Sequence, residues 1–241
     1  MRICVIIPTY NNSGTIANVI SSALEYCPDV IVVSDGADAQ TVQEIRKFDG
    51  RIEFVGYDVN RGKGYALKQG FRKAVEAGFD YAITIDSDGQ HFADDIPAFK
   101  EAIGSCPGAL FIGSRRFGVD NMPSGNTFAN KFSNFWFKVQ TGMSLADTQT
   151  GYRAYPLSRC IMPLSNRYEA ELEMLVRTAW RGTPIVPIPI KVYYAPVGER
   201  VSHFRKGKDF FRISVLNTVL TIVSIIYGWP SILIHRIARR K

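Results

Sequence analysis

The chain has 241 residues, 46% apolar and 21% charged, with a formal net charge of +7. That balance excludes an intrinsically disordered chain and suits one large domain with a substantial core. The charge is uneven: residues 200–241 carry +8 and residues 1–199 carry −1, so the basicity belongs to the tail and no nucleic-acid partner is expected.

Apolar, β-branched runs at Ile3–Ile7, Val30–Val33, Ile52–Val55, Tyr81–Ile85 and Ala109–Ile112 predict strands. Between them, Ile16, Val19, Ile20, Ala23 and Leu24 recur at helical spacing, as do the apolar residues of Tyr65–Val75. This alternation predicts an α/β fold, a mostly parallel sheet covered by helices on both faces. The first run is too short for a signal-peptide core and reads as a buried strand, so this domain is expected in the cytoplasm. After Arg116 the pattern loosens. Helices are predicted over Thr127–Val139 and Tyr168–Ala179, a Gly-containing loop over Asp147–Arg153, a Pro-punctuated strand over Ile185–Tyr193, and a basic loop over Ala195–Lys208.

From Ile213 to Ile234 no residue is charged, a run long enough to cross a bilayer. Gly228-Trp229-Pro230 interrupts it and basic residues flank both ends, which favours a helix–break–helix lying in or dipping into an anionic leaflet. Cys4, Cys27, Cys106 and Cys160 form no C-x-x-C pair and read as reduced thiols rather than zinc ligands or a disulfide framework.

In open α/β sheets ligands sit beyond the carboxyl ends of the strands. Here those ends are polar: Pro8-Thr9-Tyr10-Asn11-Asn12, Ser34-Asp35-Gly36, Asp58 to Arg61, Asp86-Ser87-Asp88 and Gly113-Ser114-Arg115-Arg116. In Asp86-Ser87-Asp88-Gly89-Gln90 the two carboxylates, two residues apart at a strand end, present hard oxygen donors suited to Mg²⁺ or Mn²⁺ bridging a diphosphate. Asp35 is placed to accept from a nucleobase imide or a ribose hydroxyl; an ordinary turn aspartate is the alternative. Asn60-Arg61-Gly62-Lys63-Gly64 precedes a helix, where free amides and the basic side chains attract anions, but it is not a P-loop. Glu169 and Glu173 share one helix face, whereas Glu171 points elsewhere and reads as a dipole-favouring residue.

Taken together these motifs resemble the family 2 glycosyltransferases of GT-A (Rossmann-like) fold, within them the dolichyl- or polyprenyl-phosphate sugar synthases. The stretches are Pro8-Thr9-Tyr10-Asn11, Ser34-Asp35-Gly36, Asn60-x-Gly62-Lys63-Gly64, Asp86-x-Asp88-x-Gln90, Gly113-Ser114-Arg115, Asp147 to Arg153 and Tyr168-Glu169 to Glu173-Met174. The resemblance implies nucleotide contacts at Pro8, Tyr10, Asn12, Asp35, Gly62, Lys63 and Asp86. It implies a metal site at Asp86, Asp88 and Gln90, with Arg115 near the phosphates and Asp147 and Arg153 on the acceptor side. The chain departs from the pattern at Asn12, where the family often has Glu, at Ser34, usually acidic, and at Gly198–Arg205, where a Gly-Ser-Ser-Lys-like stretch is common.

The implied reaction is inverting transfer of a sugar from a UDP- or GDP-sugar to a membrane lipid such as a polyprenyl phosphate. Asp88 and Arg115 are the catalytic candidates that stabilise the leaving diphosphate. A phosphate acceptor needs no strong base; a hydroxyl on another lipid or glycan does, and Asp147, then Glu169, are the candidates. Arg200, Ser202 and Arg205, with Arg153, are the expected acceptor-binding residues. Residues 1–208 would form the catalytic domain and 209–241 a membrane-associating helical segment at the cytoplasmic face; a homo-oligomer is compatible with this reading. A nucleotidyltransferase and a non-catalytic nucleotide-binding module are the rivals.

Overall fold

The computed structural model describes residues 1–115, 124–159, 162–194 and 207–238, with the side chains of 124–128 outside the description. In chain order the elements are β1 (Ile3–Thr9), α1 (Ile16–Tyr26), β2 (Val30–Asp35), α2 (Ala39–Arg46), β3 (Glu53–Tyr57), α3 (Lys63–Glu76), β4 (Tyr81–Thr84), α4 (Ile96–Ser105) and β5 (Leu110–Arg115). They continue with α5 (Ser124–Thr141), β6 (Arg153–Pro156), α6 (Glu169–Trp180), β7 (Ile185–Ile190), α7 (Lys208–Val223), a π turn (Ser224–Gly228) and α8 (Trp229–Ala238).

Among the described residues the strands form one seven-stranded sheet in the order β3-β2-β1-β4-β6-β5-β7. Every pairing is parallel except those of β6, which runs antiparallel between β4 and β5. Side chains alternate across a strand, so one strand serves two cores. Cys4 and Ile6 of β1 face α3 and α6, whereas Val5 and Ile7 face α1 and α4. The thiols of Cys4 and Cys27 are buried and free, and burial raises both pKa values, that of Cys4 to about 12, which keeps them protonated.

The α/β reading of the sequence is thus correct in class. Differences lie in two places. Arg153, expected to end the loop Asp147–Arg153, instead opens a buried strand, Arg153–Pro156. The tail was expected to break at Gly228-Trp229-Pro230, yet Lys208–Ala238 is one continuous 31-residue helix. A π turn widens the backbone just before Pro230, which is where a helix must open to accept a residue with no N–H. The helix packs its inner side on α5 and α6: Gln140 Nε2 donates to Asn217 Oδ1 (3.1 Å), and Ser231 Oγ donates to the Trp180 carbonyl (2.7 Å).

Candidate active site

The strand ends of β1, β2 and β4 open into one cleft with about 960 Å³ of empty space, its open mouth included. Pro8, Tyr10, Asn12, Asp35, Gly62, Lys63, Asp86, Asp88 and Gln90 all line it, so the cleft gathers the expected nucleotide and metal residues. Arg167, Tyr168 and Asp209 line it too. Sequence reasoning did not single out Arg167 or Asp209: one lies on an irregular loop and the other on the tail helix, and neither carries a motif.

Asp35, at the end of β2, accepts from the Arg61 N–H (2.7 Å) and the Gly62 N–H (2.8 Å). It therefore anchors the loop that leads into α3, and it aims the amide-bearing end of that helix at the cleft. Gly62 adopts φ 101°, and a Cβ there would lie 2.6 Å from the Asn166 carbonyl oxygen. No other residue type fits that turn. Asn12 donates to Ser87 Oγ (2.6 Å), and Thr15 Oγ1 donates to the Ser87 carbonyl (2.6 Å). These two bonds fix the loop that carries Asp86 and Asp88 against the end of β1.

Lys63 opens α3. Its Nζ lies 2.6 Å from Asp86 Oδ1 and 2.8 Å from Glu171 Oε2. Burial alone would lower the Lys63 pKa, but the two carboxylates outweigh it and hold the ammonium charged. Burial likewise opposes the Asp86 carboxylate, and Lys63 outweighs it, so its pKa is lowered. Among the described residues Asp88 has no such partner: burial, then the neighbouring Asp86 charge, push it up to about 6. His91 lies 3.9 Å from Asp86, and burial drives its pKa to about 4, leaving a neutral imidazole.

Two carboxylates, Asp86 and Glu171, thus meet one ammonium, and a third, Asp88, lines the same cleft. The next cation, Arg153, is enclosed with its guanidinium committed: it donates to the carbonyls of Thr148 (3.0 Å), Thr150 (2.8 Å) and Glu171 (2.7 Å). Arg153, expected on the acceptor side, is thus buried and holds the loop that precedes β6. Gly151 sits at the apex of that loop, where a Cβ would overlap Asp86 Oδ2 and lie 2.7 Å from Lys63 Nζ. The loop approaches the ion pair only because it has no side chain there.

The local excess of negative charge and the hard donors Asp86, Asp88 and Gln90 fit a divalent cation. Among the described residues no group of three or more His, Cys, Asp or Glu side chains is placed to hold one. A cation here would take its remaining ligands from a bound diphosphate and water.

Arg115, at the end of β5, forms a two-point pair with Asp147: Nε to Oδ2 at 2.5 Å and Nη2 to Oδ1 at 2.9 Å. Asp147 also accepts from the Gln149 N–H (3.0 Å) and is almost fully enclosed. Asp147, the first general-base candidate, thus has both carboxylate oxygens engaged and is not among the residues lining the cleft. Glu169 opens α6 with Oε2 buried and without a hydrogen-bond partner among the described residues. Glu171, read from the sequence as a dipole-favouring residue, instead pairs with Lys63 in the cluster, whereas Glu173 accepts from the Leu164 and Ser165 amides and pairs with Arg177. Arg200, Ser202 and Arg205 lie outside the described residues.

An open, mostly parallel α/β sheet with a carboxylate-rich cleft at its strand ends defines the class. The chain belongs to glycosyl transferase family 2, whose pattern matches residues 4–153. It is 30% identical over 217 residues to the undecaprenyl-phosphate mannosyltransferase of Micrococcus luteus, a match covering 83% of this chain and 86% of that one. It is 29% identical over 240 residues to the UDP-N-acetylglucosamine–dolichyl-phosphate N-acetylglucosaminyltransferase of Methanococcus voltae, covering 89% and 95%. Glucosyl-3-phosphoglycerate synthase from Mycobacterium tuberculosis, crystallised with Mn²⁺, UDP and phosphoglyceric acid, shares the fold at TM-score 0.66 and 21% identity, covering 93% of this chain and 77% of that one. The family resemblance of the motifs is borne out, and the chain is a glycosyltransferase.

Proposed function

We propose that this glycosyltransferase moves a sugar, with inversion, from a nucleoside-diphosphate sugar to a lipid phosphate of the polyprenyl class at a membrane surface. The observation that carries the donor half is the cleft at the strand ends, where Asp86, Asp88 and Gln90 face the amide end of α3 and the Lys63 ammonium. The acceptor half rests on the relatives, two of which are named for undecaprenyl- and dolichyl-phosphate.

Mg²⁺ or Mn²⁺ held by Asp86, Asp88 and Gln90 would neutralise charge on the departing diphosphate. Asp35, Asn60 and Gly62, held together by the bonds to Asp35, line the side of the cleft assigned to the nucleoside. Lys63, already charged and poised beside Asp86, adds a positive group at the phosphates. An acceptor phosphate is ionised at neutral pH, so no base must deprotonate it. This agrees with Asp147 being tied to Arg115 rather than free.

The test is a panel of UDP- and GDP-sugars with the purified protein, Mn²⁺ or Mg²⁺, and a polyprenyl phosphate. Release of nucleoside diphosphate that needs both metal and lipid phosphate is the expected result; release of pyrophosphate instead would reassign the chain to nucleotidyl transfer. Asp88→Ala is expected to lower turnover by roughly 10²–10³-fold with unchanged far-ultraviolet circular dichroism.

A further inference from the structure

The 31-residue helix of α7, the π turn and α8 has two chemically distinct sides along its whole length. Its inner residues Asp209, Asn217, Leu220, Ser224, Gly228 and Ile232 are buried at helical spacing. Gly228 lies against the Trp180 ring, and Gly182 of the turn after α6 lies against His235, so this seating continues almost to the end. The outer residues Phe211, Val215, Val219, Ile222, Ile226, Leu233 and Ile237 are exposed at the same spacing, Phe211 by 68% and Ile226 by 76%. Phe135 of α5 and Phe210 extend the exposed apolar surface at the cleft end of the helix. Monomeric soluble proteins seldom leave so long a stripe uncovered.

We infer that this outer face lies in the plane of an anionic lipid bilayer, with both ends of the helix on the same side, and that the helix does not cross the membrane. Length and hydropathy alone would allow a crossing, since the most apolar 18-residue window of the helix averages a hydropathy of 1.8. Its seating forbids one: a helix upright in the bilayer would carry α5 and α6 into hydrocarbon with the exposed Lys131, Lys138 and Arg181. Laid flat, the helix buries only its outer face to headgroup and upper acyl depth. Charge selects the occupant. The acidic residue of the helix, Asp209, is buried, while Lys208, Arg212 and Arg236 are exposed. A second copy of this face would meet it with like charge, whereas an anionic leaflet complements it.

This inference deepens the lipid-acceptor reading. Asp209, in the first turn of the same helix, lines the cleft, so a flat helix sets the cleft mouth at the lipid surface. The test keeps the two readings apart. Full-length protein is mixed with vesicles of phosphatidylcholine and phosphatidylglycerol, and the bound fraction is measured by flotation. Ile226→Asp with Leu233→Asp is expected to cut binding about tenfold or more. Metal-dependent hydrolysis of the donor in vesicle-free buffer reports separately on fold and cleft, and should match wild type. In sealed membrane vesicles from an expression host, a protease is expected to remove a tag placed after Lys241 from the same side on which it digests the catalytic domain. A tag protected while the domain is digested would overturn the inference. So would undiminished vesicle binding by the double variant, or a wild-type protein that dimerises in buffer and ignores vesicles.

Discussion

Glu171 and Glu173 stand two residues apart on α6 and do different work. Glu171 places one oxygen on Lys63 and leaves Oε1 without a partner among the described residues, beside the cleft. Glu173 is saturated: the Leu164 and Ser165 amides, the Ser165 hydroxyl and Arg177 all donate to it. One carboxylate tunes an ammonium that faces the ligand space. The other closes a turn. A buried acid reveals its role through how completely its neighbours satisfy it, and the contrast is open to direct test.

The largest effect should follow loss of the cation that Glu171 and Asp86 share. Lys63→Met leaves the buried Glu171 and the partly buried Asp86 carboxylates uncompensated and is expected to cost about 3–5 kcal/mol of stability in urea denaturation, with transfer lost. Adding Glu171→Met should recover part of that stability without restoring transfer, because an apolar pair avoids the uncompensated charge. Equal stability of Lys63→Met and wild type would show that the cluster is hydrated and that Glu171 differs from Glu173 less sharply than the geometry says.

Glu171→Gln is the next largest. It keeps the shape and removes the charge that holds Lys63, a hydrogen bond to a charged group worth about 1.5–3 kcal/mol. If Lys63 acts on the diphosphate, kcat/KM for the donor should fall about ten- to a hundredfold. The matching Glu173→Gln protein should keep kcat/KM near wild type. A similar loss in both variants would erase the distinction.

Much of the frame was legible in the chain. The β-branched runs that became β1, β2, β4 and β5 sit in the sheet's centre, buried on both sides, where composition leaves little choice. The acidic and glycine-bearing strand ends were legible for the same reason, because parallel strands deliver them to one edge. The α6 carboxylates were not. A two-sided helix allows a face to be read from spacing, but α6 is buried almost all round, so spacing could not say which acid faced the cleft. Arg153 was placed on the acceptor side by the family resemblance; its enclosure in β6, bound to three carbonyls, is visible only in the fold. α2 escaped notice for the opposite reason. It has eight residues and buries only Thr41 and Ile45, too little periodicity to register.

The smallest effect belongs to Glu173 and depends on pH. Burial raises its pKa, but the hydrogen bonds from Ser165 and Leu164 and the Arg177 pair outweigh that, so the folded value lies below the ordinary 4.5. A carboxylate with a depressed folded pKa contributes its full stability above the unfolded value and loses it as pH falls through the folded one. Glu173→Gln is therefore expected to be about 1–3 kcal/mol less stable than wild type at neutral pH. The gap should narrow as pH drops below 4.5, because wild type then protonates and comes to resemble the variant. Urea midpoints of both proteins at neutral and acidic pH measure it. A gap that stays constant with pH would mean that the amide geometry at Ser165, rather than the charge of Glu173, holds the turn before α6.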